Sequence, residues 1–410
     1  MLNSTTKEYN EAIALYDAKR YDKAVPILEM LADQGYTKAQ LKLGKCYVDG
    51  MGVVEDYARA EKLFRRAMEQ ECLEAKKEYD WMANRYFYRG STYSDKGDHD
   101  LAIADFIKAI SFKPDFARAY YERGLVYSKK GDHDIAITDF TKAICLNSNC
   151  AEMYYDRGLE FSEKNDHDQA ITDFTKAICL DPNYAEMYYY RGLEYYKKDN
   201  CYQAIADFTK AVSVDPNYKK AYCGRGSAYY EESNYDQAIV DFTRAISIDP
   251  NYKIAYSNRG CSYCGKGDCG QAIVDFTKAI CLDPNYKIAY NNRGCLYYDK
   301  GDYDQAIADL TKVICLDPNY KLAYCNRGKV YNKKGCYDQT IADCTKAINL
   351  DHSYRLAYNI RGLAYANKGD YANAITDYNS ILHMDPNNEK ARRNLENTLR
   401  QQSSQCSRGS

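Results

Sequence analysis

An all-α fold is predicted for this chain: a right-handed α-solenoid superhelix of stacked antiparallel helix pairs. Three observations carry the prediction. Pro114, Pro182, Pro216, Pro250, Pro284, Pro318 and Pro386 are spaced by 34 residues or multiples of it, and Ser148 and His352 fill the two vacant slots. Tyrosine occurs 44 times against a single tryptophan, Trp81, so it must occupy a recurring position. Each period also carries apolar residues at helical spacing, as at 290, 297, 306, 307, 310, 313 and 314. One such pair of helices cannot bury both of its faces alone, so neighbours must stack.

Residues 283–318 show how one period is built. Asn285 is read as the cap of a first helix, and Gly301 ends that helix in the left-handed conformation. Asp302-Tyr303-Asp304-Gln305 then forms a capping box that opens a second helix, and Pro318 stops it beyond Leu316. Counted from Ala83, nine such units run through residue 388. Repeat position 4 is Tyr in all nine, from Tyr86 to Tyr358, and position 8 is Gly in all nine, from Gly90 to Gly362. Position 11 is Tyr except for Phe161. Position 20 is Ala except for Thr340, and position 24 is Phe in the first six units, then Leu310, Cys344 and Tyr378.

This pattern resembles the tetratricopeptide repeat, with an aromatic at 4, small residues at 8 and 20, aromatics at 11 and 24, Ala at 27 and Pro at 32. The resemblance covers residues 83–388. Residues 39–70 resemble a Sel1-like repeat through Leu43-Gly44, Tyr47, Gly50-x-Gly52-Val53, Asp56, Ala60 and Ala67, and residues 7–38 read as a more degenerate pair. The expected organisation is therefore a Sel1-like region over 1–82, repeats over 83–388, a polar capping helix over 389–402 and a disordered tail over 403–410. The cap helix has a thin apolar seam at Ala391, Leu395 and Leu399.

Composition narrows the function. With 28% charged residues, a net charge of −2 and a pI near 6.3, no overall field draws the chain to nucleic acid or to an anionic membrane. No apolar run is long enough to span a bilayer and no signal peptide opens the chain, so a cytoplasmic location is expected. The 17 cysteines are odd in number and are read as reduced thiols. Cys145, Cys179, Cys281 and Cys315 share position 29, where they serve as small packing residues. Cys261, Cys264, Cys269 and Cys295 offer an alternative reading as a metal or redox site, although paired metal-binding cysteines belong on loops and not inside a helix. His99, His133 and His167 share position 17 and are read as surface turn residues, too far apart in consecutive repeats to ligate one ion.

Position 7 is Arg and position 23 is Asp in every unit, where the family prefers Leu at 7. A half-buried charge needs a partner, so ion pairs are predicted between the rows, Arg293 with Asp309 or with the next unit. An arginine row binding acidic ligands is the alternative, weakened by the equal row of aspartates. No nucleophile–histidine–acid set, phosphate loop or catalytic carboxylate pair stands out. No enzyme activity, no catalytic residue, no resident metal and no cofactor are expected.

In the family, the first helix of each pair lines the concave groove, with positions 2, 5, 6, 9, 12 and 13 open to a ligand. The candidate groove residues are Phe87, Tyr121, Tyr155 and Tyr189 at position 5 and Leu125, Leu159 and Leu193 at position 9. These form an apolar ladder that either grips a helical peptide or packs against itself. Towards the C-terminus come Asn258, Asn292 and Asn326 at position 6, with Asn291 and Asn359 at position 5. An amide row offers donors and acceptors to an extended peptide backbone, as in the resembling asparagine ladder of the O-linked N-acetylglucosamine transferase. The Lys and Asn of a carboxylate clamp are absent from any one unit. The expected role is a non-catalytic scaffold or adaptor that binds a partner peptide, with neither nucleic acid nor membrane as partner. A nucleic-acid-binding helical repeat is the remaining alternative. A monomer is expected, with self-association through the solenoid ends left open.

Overall fold

The protein, described by a computed structural model over residues 2–406, is all helical: 23 helices and no strand among the described residues. The helices group into two compact units, Met1–Glu194 and Tyr195–Ser410. No helix among the described residues is long and apolar enough to cross a membrane.

The first unit begins with α1 (Leu2–Asp17), α2 (Tyr21–Asp33), α3 (Thr37–Asp49) and α4 (Tyr57–Met68). The loop before α4 closes through Asp56, whose carboxylate accepts from the backbone N–H of Ala58 and Arg59 at 3.0 Å. The 24-residue α5 (Leu73–Lys96) follows. The domain boundary expected between residues 82 and 83 falls inside this helix, because Ala75, Tyr79, Met82, Ala83 and Phe87 form one continuous buried stripe along it. Three further pairs follow the same plan: α6 (His99–Phe112) with α7 (Ala117–Lys130), α8 (His133–Leu146) with α9 (Ala151–Glu163), and α10 (His167–Leu180) with α11 (Ala185–Lys197).

The second unit repeats it through α12 (Cys201–Val214), α13 (Lys219–Glu231), α14 (Tyr235–Ile248), α15 (Lys253–Gly265), α16 (Cys269–Leu282), α17 (Lys287–Asp299), α18 (Tyr303–Leu316), α19 (Lys321–Lys333), α20 (Tyr337–Leu350), α21 (Arg355–Lys368) and α22 (Tyr371–Met384). The last helix, α23 (Glu389–Cys406), outruns its expected end at residue 402. Residues 403–406 are helical and not a disordered tail, and residues 407–410 lie outside the described residues. No Gly or Pro interrupts that turn, and the Ser403 and Ser404 hydroxyls donate back to the carbonyls of Leu399 and Arg400 at 2.9 Å. The seam of this helix also differs from the expected one: Thr398 is buried and Leu399 is exposed.

The turn chemistry is largely the predicted one. Gly301 has φ +80° after α17, and Asp302 accepts from the Gln305 N–H at 3.5 Å to open α18. Asn285, however, does not cap the first helix. Tyr286 holds that position without a side-chain bond, and Asn285 donates its N–H to Asp283 at 2.9 Å. The short Asp283 side chain thus closes the turn before the helix starts.

The core is a row of rings. Phe106, Phe140 and Phe174 in the first unit, and Phe242 and Phe276 in the second, are fully buried, each contributing roughly 1.5–3 kcal/mol by burial. Their rings require the glycine row opposite. A Cβ on Gly260 would stand 2.9 Å from the Phe276 ring, closer than real contacts allow.

The arginine and aspartate rows pair within the repeat and not across to the next, the first of the two predicted arrangements, in eight repeats. Arg89–Asp105, Arg123–Asp139 and Arg157–Asp173 do so in the first unit. Arg225–Asp241, Arg259–Asp275, Arg293–Asp309, Arg327–Asp343 and Arg361–Asp377 do so in the second. Each is a two-pronged pair through Nε and Nη2, the geometry that suits guanidinium and carboxylate. Arg Nη1 then reaches back to the preceding repeat: Arg259 donates to Thr243 at 3.0 Å and Arg293 to Thr277 at 2.9 Å. One guanidinium therefore ties three helices together.

Candidate functional site

The face formed by the first helices of successive pairs carries the sequence-predicted groove residues, and the structure separates them into two groups. Phe87 is 2% exposed and is a core residue: its ring packs against Phe106 and Phe116, and the Arg118 guanidinium lies 5.2 Å from its centre. Asn291 and Asn359 are also buried. Position 5 is a covered position wherever its side chain is short, since Cys223, Ser257 and Cys325 are buried there too. The other candidates, Tyr121, Tyr155, Tyr189, Leu125, Leu159, Leu193, Asn258, Asn292 and Asn326, are half-buried and remain partly open to solvent.

In the first unit the tyrosines are joined to carboxylates of the following repeat. Tyr121 Oη donates to Asp156 at 2.5 Å, and Tyr155 Oη reaches Glu186 at 3.5 Å. Burial beside Glu160 and Glu152 raises the Asp156 carboxyl to about 6, against the hydrogen bond from Tyr121, which lowers it. The expected apolar ladder is therefore an aromatic row edged by acids. The sequence carried that signal in Glu122, Glu152, Asp156 and Glu186 on the same helices.

The histidines are not plain turn residues. His133 Nδ1 sits 2.7 Å from Glu160 Oε2, and Ser128 Oγ donates to Oε1 of the same carboxylate at 2.6 Å. His167, Ser162 and Glu194 repeat the arrangement one unit later. Each glutamate is buried, at 5% and 1% exposure, so histidine and serine of one repeat satisfy the carboxylate of the next. In the repeat before, the same position holds Val126, and His99 Nδ1 is buried with no hydrogen-bond partner. The sequence signal was the glutamates themselves, the only charges at an otherwise uncharged position 10, one unit after His133 and His167.

In the second unit the asparagine row is engaged internally. Asn258 donates to Ser227 Oγ at 3.4 Å and lies 3.8 Å from Cys223 Sγ. Asn292 donates to Cys261 Sγ at 3.5 Å, and Asn326 to Asn291 Oδ1 at 3.1 Å and Cys295 Sγ at 3.4 Å. Each rung thus bonds the repeat before it. Among the described residues, no three of His, Cys, Asp and Glu converge to hold a metal ion. Burial pushes the Cys264 thiol up to about 12 and raises Cys261 and Cys295, which disfavours the thiolate that metal or redox chemistry requires. The position-29 cysteines, expected as packing residues, are exposed, because the adjacent Ala143 and Ile144, or Ala177 and Ile178, fill the core at that turn.

Models of the tetratricopeptide repeat match this chain along most of its repeated length. A TPR repeat model matches residues 90–131, 158–199 and 294–335, and tetratricopeptide repeat models match 117–150, 185–218, 220–252, 276–308, 322–354 and 356–388. The chain carries tetratricopeptide repeats. Its fold is similar to that of the APC/C hetero-tetramer Cut9–Hcn1, at 17% identity and a TM-score of 0.50, over 97% of this chain and 84% of that one. Also similar are a tetratricopeptide repeat protein from Parabacteroides merdae (21% identity, TM-score 0.49, 61% of this chain and 98% of that one) and YrrB, described as a TPR protein with an unusual peptide-binding site (26% identity, TM-score 0.40, 45% and 95%). No curated protein matches the chain. Against the tetratricopeptide pattern, the arginine at position 7 is accounted for by its Asp and Thr partners. The asparagine and tyrosine rows are the places where this tetratricopeptide chain varies within a constant frame.

Proposed function

We propose that the protein is a non-catalytic interaction scaffold, holding a peptide segment of a partner protein along the first-helix face of its repeats. The observation that supports this reading is the contrast between a nearly constant frame, invariant at its Tyr, Arg, Gly and Asp positions, and half-buried, partly open positions that change along the array. A rigid, preformed face needs little ordering when a partner binds. The tyrosine row with its acidic edge and the asparagine row offer two chemically different stretches. The first two helix pairs, α1–α4, are read as Sel1-like repeats that extend the same stack, and the cytoplasm as the location.

The test is partner capture by the wild-type chain, by Asn258→Ala/Asn292→Ala/Asn326→Ala and by Tyr121→Ala/Tyr155→Ala/Tyr189→Ala. Retention of every partner by both triple variants would refute the reading.

A further inference from the structure

Two cavities on the first-helix face of the second unit occupy equivalent places two repeats apart. The upper one is lined by Ser227, Tyr230, Glu231, Phe242, Asn258 and Cys261, with Tyr196 beside it. The lower one is lined by their equivalents 68 residues on: Cys295, Tyr298, Asp299, Leu310, Asn326 and Lys329. The walls correspond in chemistry: a tyrosine, a carboxylate after it, an asparagine from the next repeat and an apolar floor. In both, the tyrosine is tilted against the residue that opens the second helix, Tyr230 on Tyr235 at 5.6 Å and Tyr298 on Tyr303 at 5.9 Å.

The two differ in one wall residue that changes the chemistry. Where the upper cavity has Cys261, the lower has Lys329, whose ammonium lies 4.5 Å from the centre of the Tyr298 ring. The lower cavity, with its lysine, measures about 70 Å³; the upper measures about 200 Å³. Lys329 is itself exposed, so the chain shows that a lysine at the mouth of such a cavity sets its ammonium against the tyrosine ring. In the upper cavity Glu231 accepts only a long hydrogen bond from Tyr196, at 3.5 Å, and makes no ion pair among the described residues.

We propose that the upper cavity, beneath Asn258, receives a lysine side chain from a partner's peptide segment, its stem along the wall beside Asn258 and Cys261 and its ammonium between the Tyr230 ring and the Glu231 carboxylate. The proposal rests on the reading of this face as a peptide-binding surface and names the partner's chemistry: an unmodified lysine. Lys329 sits on the wall of the equivalent cavity, so the chain narrows one of the two with its own lysine and leaves the other the wider.

The reciprocal exchange tests this. Saturation-transfer difference NMR with the peptide Ac-Gly-Gly-Lys-Gly-Gly-NH2 is expected to report saturable binding to the wild type, and none with norleucine or acetyl-lysine in place of lysine. Cys261→Lys closes the upper cavity and is expected to weaken binding about tenfold, the size of one desolvated cation–ring contact. Lys329→Cys opens the lower cavity and is expected to add a second site, a gain that misfolding cannot mimic. Cys281→Lys adds the same charge at an exposed position and is expected to change nothing. Equal binding by the wild type and Cys261→Lys, or by lysine and norleucine peptides, overturns the proposal. If the asparagine variants lose a partner while no lysine peptide binds, the peptide-binding reading survives and this pocket does not. Lysine binding that follows the exchange, with every partner retained by those variants, upholds the pocket and removes the scaffold reading.

Discussion

Arg293 and Asp309 hold each other through two parallel hydrogen bonds of 2.8 Å, with the carboxylate side chain only 6% exposed. Removing one member leaves the other as a buried, unpaired charge, whereas removing both leaves an apolar gap. Arg293→Met or Asp309→Leu alone is expected to cost about 3–5 kcal/mol, and the double variant distinctly less than either sum. Chemical denaturation of the four proteins measures the coupling. Additive costs would show that the pair contributes nothing as a pair.

His99 lacks the carboxylate that His133 and His167 possess. Val126→Glu supplies it at the equivalent position, beside Ser94, which matches Ser128 and Ser162. This substitution into a fully buried site is expected to cost no more than about 1 kcal/mol in the wild type, and about 2–3 kcal/mol more in a His99→Ala background, where the glutamate is left unpaired. Equal costs in the two backgrounds would separate His99 from position 126.

Asp156 titrates at about 6 in the folded protein, above the ordinary carboxylate value, so between the two values the folded state holds a proton that the unfolded chain has lost. Stability then falls as pH rises from about 4 through 6, and the loss persists at pH 7. Asp156→Asn is expected to flatten that part of the pH–stability profile and to raise stability at pH 7, by at most about 3 kcal/mol less whatever the altered bond from Tyr121 costs. Thermal melts from pH 4 to 8 decide it; a profile unchanged by the substitution would count against the raised carboxyl.

The fold was legible because its determinants recur. A glycine or arginine seen at one position in nine successive units, or a proline in seven of them, states its own geometry, and the Arg293–Asp309 pair follows from two rows of opposite charge facing across antiparallel helices. The site was less legible because period assigns a residue to a face and not to a depth. Phe87 lies on the same row as Tyr121 but disappears under Phe116 and Arg118. Asn291 is short enough to sink below its neighbours, while Asn292, one residue on, stays half open. The polar threads between repeats, Glu160 to His133 or Asn326 to Cys295, depend on side-chain reach across a helix junction, for which a single repeat read alone carries no sign.

The backward bond from Arg Nη1 to the threonine of the preceding repeat has an evolutionary consequence. The seven units over residues 117–354 carry both halves of their junctions, a threonine hydroxyl to accept from the next unit and an arginine to donate to the one before, as Thr277 and Arg259 do within one unit. A copied 34-residue segment inserted among its siblings arrives already fitted at both ends. The array can therefore lengthen or shorten by whole units without new interface residues having to be found, leaving the half-open rungs free to diverge afterwards.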